Sequence, residues 1–332
     1  MNPRHRRLLI PGLLVALLVV VVVASLASKA DAAEISPAAE QVSTIDDPRV
    51  TEASGMAVSV EHDDLVYVIN DSGSAPDVYA VRISTGEVVG TTTLTGVAWT
   101  DPEALAIDAD GTLWVADTGD NRGRRDDVAL YAFAEPGPGD RTLSPQTFPV
   151  TYPDGPVDVE AMLIAPDGTK LLVSKGLVTG EILRLPADLS ESGNRVEPVV
   201  RISGTGTDGA FTPDGSRVLL RTYGDVRVLD TSDWSLVQRL AVPPVDQGET
   251  LAVEPGAGSF LIGSEGAGSP LLRVQLPAVA TPTPTPEPTP TRVTSGGEAA
   301  PVDNGFAGTT WLGAAAVVMV LVGVSAWIAR GR

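Results

Sequence analysis

The chain contains no cysteine and only two histidines among its 332 residues. The absence of cysteine excludes disulfide bridges and thiolate chemistry, so stability must come from a packed core. His5 lies close to the start of the chain, and His62 lies in the turn-like stretch EHDD, where histidine is typically solvated. The chain also lacks a G-x-S-x-G elbow, an H-E-x-x-H helix and a P-loop. These absences exclude the familiar motifs of serine hydrolases, zinc proteases and P-loop enzymes.

Positive charge is scarce as well. Lysine and arginine together number 23 against 42 acidic residues, which gives a formal net charge of −19. The two ends of the chain carry net positive charge, so the part between them is more acidic than the whole. Such a surface repels nucleic acids and attracts divalent cations or basic partners. We therefore expect no nucleic-acid partner.

Two long apolar runs lie at the two ends of the chain. Residues 1–33 combine a basic start, an apolar run and a small-residue A-x-A site, which is typical of a secretory signal peptide, with an uncleaved anchor as the alternative. Residues 309–329 are uncharged and long enough to cross a hydrocarbon core of about 30 Å, and residues 330–332 add two arginines. We predict a single-pass protein of the cell membrane, held by this C-terminal helix, with its body outside the cytoplasm.

A linker separates the body from the predicted membrane helix. Residues 279–308 begin with alternating proline and threonine, which favours an extended polyproline stalk. Whether the threonines carry O-linked sugars stays open. The stalk would hold the body, residues 34–278, away from the bilayer.

The body consists of a repeated pattern of two short apolar strands joined by a turn. Five segments share this pattern: SGMAVSVEHDDLVYVINDSG from Ser54, PEALAIDADGTLWVADTG from Pro102, VEAMLIAPDGTKLLVSKG from Val159, TDGAFTPDGSRVLLRTYG from Thr207 and GETLAVEPGAGSFLIGSEG from Gly248. Their spacing and their Asp-Gly turns are typical of the blades of a β-propeller. A β-sandwich would not repeat the same turn chemistry in consecutive units.

Further strand-like stretches complete the units. A third alternating stretch follows each pair, and a fourth follows in the first four units, as in SLVQRLAV from Ser235. The fifth unit ends near Pro277 with three strands, and the stretch EQVSTI from Glu40 could supply its outer strand and close the ring. Helical periodicity is absent from the body. We predict an all-β fold, a single propeller of five blades, with six as the alternative.

The alignment of the units brings acidic residues to equivalent positions. The first strand of each blade lines the central channel, so residues at its start should form a ring. The channel and ligand candidates in this ring are Glu103, Glu160, Asp208 and Glu249. Lys175, one of three lysines in the chain, occupies the end of the neighbouring strand in the third unit and is a further candidate.

Clustered carboxylates need a compensating cation, protons or basic side chains, because burial and like-charge repulsion both disfavour ionisation. Ca²⁺ is bound by such oxygen ligands, so we consider Asp71, Asp117, Asp120 and Asn121 as candidate metal ligands. In the alternative interpretation, each acid accepts backbone N–H bonds from the next blade and holds the ring together. A third alternative is hydrolysis by a metal-bound water with a carboxylate base.

Two stretches of the first half of the body resemble known families. ASGMAVS…VYVINDSGSAPDVYAVRISTGEVVGTTTLTG and DPEALAIDADGTLWVADTGDNRGRRDDVALYAF, within residues 50–135, resemble secreted bacterial propeller proteins of largely unknown function. They are similar, more distantly, to the SdiA-regulated and "esterase-like activity of phytase" propellers. The later units, such as VRVLDTSDWSLVQRL, resemble YVTN or WD-type repeats.

The resemblance implies a propeller outside the cytoplasm, and it implies candidate functional residues only at Asp71, Glu103, Asp117, Asp120 and Asn121. It does not securely imply phytase or esterase activity, because an acidic channel without a basic cluster suits phytate poorly. We therefore expect a binding or scaffold module for a protein or an envelope glycan, and we lean against an enzyme. The alternative is a Ca²⁺-dependent hydrolase of an ester, lactone or phosphoester, with Glu103, Asp117 and Glu160 around the metal.

Overall fold

A computed structural model describes residues 33–278 except residues 72, 74, 177, 178, 205 and 257. The predicted membrane helix, stalk and cytoplasmic tail lie outside these residues, and so does the predicted signal peptide except Ala33. Those assignments stay predictions. Within the described residues, no helix is long and apolar enough to cross a membrane.

The described chain folds into β-strands in five sheets. Two strands precede the repeats: β1 (Ala33–Ile35) and β2 (Ala39–Ile45). The first two units contain β3 (Ala53–Val58), β4 (Leu65–Asn70), β5 (Asp77–Arg82), β6 (Val88–Leu94), β7 (Pro102–Ile107), β8 (Thr112–Asp117), β9 (Ala129–Ala134), β10 (Arg141–Leu143) and β11 (Gln146–Thr151). The third and fourth contain β12 (Val159–Ile164), β13 (Lys170–Ser174), β14 (Thr179–Arg184), β15 (Asn194–Arg195), β16 (Glu197–Ser203), β17 (Asp208–Phe211), β18 (Arg217–Arg221), β19 (Asp225–Asp230) and β20 (Leu236–Ala241). The last contains β21 (Leu251–Val253), β22 (Ser259–Ile262) and β23 (Ser269–Gln275).

Each sheet is one blade of a propeller, and there are five blades, not six. The innermost strands are β3, β7, β12, β17 and β21, and each contacts its two neighbours in turn, β21 returning to β3. The all-β propeller predicted from the repeat is therefore confirmed. Its turn chemistry is confirmed as well, because Gly111, Gly168 and Gly215 follow aspartate in tight turns with φ of 75°, 86° and 70°.

The ring is closed by a strand from the start of the described chain. β2 pairs antiparallel with β23, so that Ile45 lies opposite Ser269 and Ala39 lies opposite Val274. The fifth blade thus takes its outer strand from before the first blade, as the stretch from Glu40 predicted. The strand pairings and the five core clusters that the structure describes join residues of 33–278 to one another, so we expect this segment to fold by itself.

Three very short strands cover outer edges, which sequence patterns did not predict. β10 pairs parallel with β6, β15 with β11, and β1 with β20. In each case, the short strand precedes the outer strand of one blade in the chain. It pairs with the outer strand of the preceding blade. An uncovered edge would leave a row of unpaired backbone groups, so these short pairings protect three of the five outer edges.

The hydrophobic core consists of five clusters, one at each interface between neighbouring blades. Trp114, for example, packs with Phe148 and Met162 between the second and third blades. Tyr67 and Tyr131 lie fully buried between the first and second blades. Each blade is thus covered on both faces, as its apolar strands require.

Ring closure should carry more stability than edge coverage. A chain that begins at residue 46 lacks β2, so Ile45 leaves the core and β23 becomes an exposed edge. We expect its Tm to fall by about 10 °C or more, at roughly 2–4 °C per kcal/mol for a domain of this size. A matched chain that begins at residue 36 lacks only β1 and should lose a few degrees. Equal melting by calorimetry would contradict this assignment of the closing strand.

Candidate functional site

The inner strands place acidic side chains at one end of the channel, which we call the carboxylate mouth. Glu103, Glu160, Asp208 and Glu249 are all buried at the starts of, or just before, inner strands. A β-bulge occurs at Glu103 and another at Glu160. Because a bulge turns a side chain away from the regular alternation of the strand, it directs both carboxylates out of the blade interfaces.

Asp208 differs from the other three because backbone groups already satisfy its carboxylate. Oδ2 accepts a hydrogen bond of 2.7 Å from the N–H of Leu251 in the next blade, and Oδ1 accepts one of 2.7 Å from the N–H of Gly209. Its burial, which is complete, raises the pKa of the side chain well above its usual range. Asp208 therefore joins the fourth and fifth blades, as the alternative interpretation of the ring describes.

The carboxyl groups of Asp71, Asp101 and Glu103 form a compact triad at the carboxylate mouth. One oxygen from each of Asp71, Asp101 and Glu103 lies within 4.8 Å of the other two. Asp71 follows β4, whereas Asp101 and Glu103 flank the start of β7. Asp71 and Asp101 lie close enough for a hydrogen bond between their carboxyl groups, which requires that one of the two carry a proton.

The electrostatic cost of the triad is visible in its pKa values. Burial and then the hydrogen bond with Asp71 raise the pKa of Asp101 to about 6. Burial and the charges of Glu160 and Asp71 raise the pKa of Glu103 well above its usual range. The triad therefore gains more from a bound cation than separate carboxylates would.

Gly119 leaves the space into which the triad fits. A methyl group at this position would lie 2.6 Å from Oδ2 of Asp101 and 2.6 Å from Oε1 of Glu103. Any larger residue would displace the two carboxyl groups. The three hard oxygen donors and the absence of a side chain beside them fit a divalent cation such as Ca²⁺ or Mg²⁺.

The remaining metal candidates surround Arg125. Asp117 is fully buried, and its carboxylate accepts hydrogen bonds from the N–H groups of Thr100 and Asp101, at 3.0 and 2.9 Å, and pairs with Arg125 Nη1 at 2.9 Å. Asp120 is buried and accepts a 2.8 Å bond from the Arg125 N–H, whereas Asn121 is exposed. Asp117 and Arg125 thus hold the segment that carries Asp101. Of the four predicted metal ligands, Asp71 alone lies in the triad, and metal binding by this set stays a prediction.

Lys175 follows β13 in the third blade, which neighbours the second blade that carries Asp101, Glu103 and Gly119. Its Nζ lies 2.8 Å from Oε1 of Glu160. Burial raises the pKa of Glu160 to about 8, although Lys175 opposes this shift. Burial lowers the pKa of Lys175, but the hydrogen bond and the charge of Glu160 outweigh it, so the ammonium stays protonated. Tyr223 lies close enough to Lys175 and Glu249 for their charges to act on its hydroxyl.

Several residues of the site were not predicted from the sequence. Asp101 precedes Glu103 by two residues, and the compact stretch TDPEA was the only signal for it. Gly119 and Tyr223 lie at the ends of repeated segments and Arg125 lies beyond its segment, so the repeat alone did not mark them as residues of a site. Their contribution depends on how loops of neighbouring blades meet.

Comparison with known proteins finds similarity to an esterase-like family over part of the chain. A model of the family "Phytase-like: Esterase-like activity of phytase" matches residues 48–177. This match confirms the distant similarity expected from the sequence, and it includes the complete triad, Gly119, Glu160 and Lys175. No curated protein sequence matches the chain. A binding or scaffold role stays a prediction.

Among solved structures, a gluconolactonase from Xanthomonas campestris is similar to this chain. It has 14% sequence identity and a TM-score of 0.43, and the match covers 68% of this chain and 72% of the gluconolactonase.

The stability of the cation-free protein should depend on pH through its raised carboxyl pKa values. Burial and the charge of Glu265 raise the pKa of Glu249 to about 7. The folded state then binds protons more tightly than the unfolded state, so the free energy of unfolding decreases as pH rises from about 4.5 to 7. We expect the Tm of residues 33–278 in chelator to fall over this range, and Glu249→Gln to flatten the decline. A Tm that rises from pH 5 to 7 in both proteins would contradict these shifts.

Asp208 and Glu103 should respond to substitution in opposite ways. Asp208→Ala leaves the N–H groups of Leu251 and Gly209 without their acceptor, which should lower the free energy of unfolding by about 1–3 kcal/mol. Glu103→Gln removes a buried charge from the triad and should stabilise the cation-free protein. Denaturant unfolding in chelator measures both. A destabilised Glu103→Gln protein would show that Glu103, like Asp208, mainly joins the blades.

Proposed function

We propose that this protein is a metal-dependent hydrolase of a carboxylic ester, a lactone or a phosphoester, with its active site at the carboxylate mouth. The observation that carries the proposal is the triad of Asp71, Asp101 and Glu103 beside Gly119. The match to an esterase-like family over residues 48–177 supports it, because that segment contains the whole triad. The sequence favoured a binding or scaffold module, with a hydrolase as the alternative. We propose the hydrolase.

The triad would hold a hard divalent cation, with Ca²⁺ as the first candidate because carboxylate oxygens suit it. When bound, the cation supplies Lewis acidity, which polarises the carbonyl or phosphoryl oxygen of a substrate. Asp117 and Arg125 would orient Asp101 by holding the backbone N–H groups around it. Gly119 would keep the approach to Asp101 and Glu103 open.

Lys175 and Glu160 would serve the reaction from the third blade, next to the second blade that carries Asp101 and Glu103. The Lys175 ammonium can donate a hydrogen bond to the oxygen that becomes negative as the substrate is attacked. Burial raises the pKa of Glu160, which favours the uptake of a proton that Glu160 can then give to the leaving group. The 2.8 Å contact between the two side chains keeps both in place.

The proposal retains the expected location, a single-pass membrane protein with the propeller outside the cytoplasm. Calcium is abundant in that compartment, and the stalk would hold the mouth clear of the bilayer. The proposed hydrolase activity does not depend on binding of a protein or a glycan to the exposed loops.

Cation binding is tested first by thermal unfolding of residues 33–278 with chelator and with added Ca²⁺. A ligand at 100 times its Kd stabilises the folded state by about 2.7 kcal/mol, which corresponds to a rise of roughly 5–10 °C. Gly119→Ala should abolish this rise without changing any charge, because its methyl group displaces Asp101 and Glu103. The matched control Glu181→Gln removes a carboxylate from an exposed pair with Arg201 and should leave the rise intact. An equal rise in Gly119→Ala would exclude the triad as the binding site.

Catalysis is tested by a screen of p-nitrophenyl esters, a lactone and a phosphoester with wild type and variants. Glu103→Gln should remove activity, and Lys175→Met should lower kcat by about 10²–10³ while the Ca²⁺-induced rise in Tm persists. Lys175→Arg should recover part of kcat. If Ca²⁺ stabilises the wild type but no substrate in any of the three classes turns over, the metal has a structural role and the hydrolase proposal fails.

A further inference from the structure

The opposite end of the channel contains an apolar cavity that the proposed hydrolase does not use. It measures about 290 Å³ and is lined by residues from all five inner strands and the turns after them, which we call the apolar chamber. Its walls include Met56, Leu105, Met162, Phe211 and Ala252. The triad lies at the beginning of the strands and the chamber at their ends, so the two sites occupy different mouths.

The polar groups of the chamber are already engaged elsewhere. The Asp108 carboxylate accepts hydrogen bonds from the N–H groups of Asp110 and Thr112 and from Trp114 Nε1, at 3.0–3.1 Å. The Thr212 hydroxyl donates to Asp214 at 2.6 Å. No lysine, arginine or histidine is among the lining residues. A ligand would therefore be held by apolar contacts, and a negatively charged group would find no counter-charge.

Each mouth of the channel has one exposed apolar side chain. Among the described residues, Val60 and Tyr223 are the two large hydrophobic side chains that are exposed, at 46% and 48%. Val60 lies at the rim of the chamber, and Tyr223 lies at the carboxylate mouth beside Lys175. The apolar surface of the chamber therefore extends to its opening.

The dimensions of the chamber restrict the shape of an occupant. The cavity extends along about three residues of each inner strand. At about 3.3 Å per residue, it is roughly 10 Å deep. A volume of about 290 Å³ over that depth leaves a narrow bore. It is too narrow for a helix of 10–12 Å diameter, yet about twice the volume of an apolar cavity that binds benzene.

We propose that the apolar chamber binds the uncharged, unbranched alkyl chain of a neutral lipid-like molecule such as a fatty alcohol or a fatty ester. The site is separate from the proposed active site, and its occupation does not require a metal. Burial of the chain against methionine, leucine and phenylalanine drives binding, and it should produce a negative heat-capacity change.

The test is calorimetric titration of residues 33–278 with n-decanol, compared with decanoate and with the compact cage alcohol 1-adamantanol. We expect saturable binding of n-decanol, binding of decanoate at least about tenfold weaker, and no saturable binding of 1-adamantanol. Decanoate that binds as tightly as n-decanol, tight binding of the cage alcohol, or no saturation by n-decanol would each overturn the proposal.

Variants locate the site. Val60→Asp adds a charge at the exposed rim, where folding is not at risk, and should weaken n-decanol binding by about threefold to tenfold. The matched control Tyr223→Asp alters the other exposed hydrophobic residue, at the opposite mouth, and should leave binding unchanged. Unchanged affinity in Val60→Asp, or a loss in Tyr223→Asp, would place the bound chain elsewhere.

The same titration with Ca²⁺ and with chelator separates this inference from the proposed function. Equal n-decanol affinity in both conditions is expected because the sites lie at different ends of the channel. A protein that binds n-decanol but neither Ca²⁺ nor any ester retains the chamber and loses the hydrolase proposal. A protein that hydrolyses esters but does not bind n-decanol gives the reverse result.

Discussion

The pairing of β2 with β23 is the interaction on which the rest of the structure depends. Through it the chain ends of the propeller meet within one sheet, so that five blades become a closed ring. Closure places each inner strand between two others and gives every blade two covered faces. Without it, the fifth blade would have an exposed edge and the first would lose part of its core.

Ring closure also explains why acidic residues are buried at the carboxylate mouth. Five inner strands converge there, and four of them have a carboxyl group at or just before their start, so each of these groups lies near others. The protein compensates for this repulsion in three different ways. Asp208 accepts backbone N–H bonds, Glu160 pairs with Lys175, and Asp71, Asp101 and Glu103 remain together as a group that suits a cation.

The two ends of the channel have opposite chemistry because each inner strand changes character along its length. β7 begins with Pro102 and Glu103 and ends with Ile107, and β12 begins with Val159 and Glu160 and ends with Ile164. Five such strands in parallel produce a polar mouth and an apolar one. A repeated strand pattern is therefore sufficient to separate an acidic mouth from an apolar one.

The sequence by itself determined the propeller, because the repeat, the Asp-Gly turns and the unpaired stretch from Glu40 are local patterns that recur. Five blades, the closing strand and the positions of Glu103, Glu160, Asp208 and Glu249 at the starts of inner strands follow from it. The sequence could not separate these acids by role. Whether a carboxylate faces a backbone N–H, a lysine or another carboxylate depends on loops of neighbouring blades, and Asp71 and Asp101 come from different blades. Only the tertiary structure brings such residues together, because contacts between blades have no regular spacing along the chain.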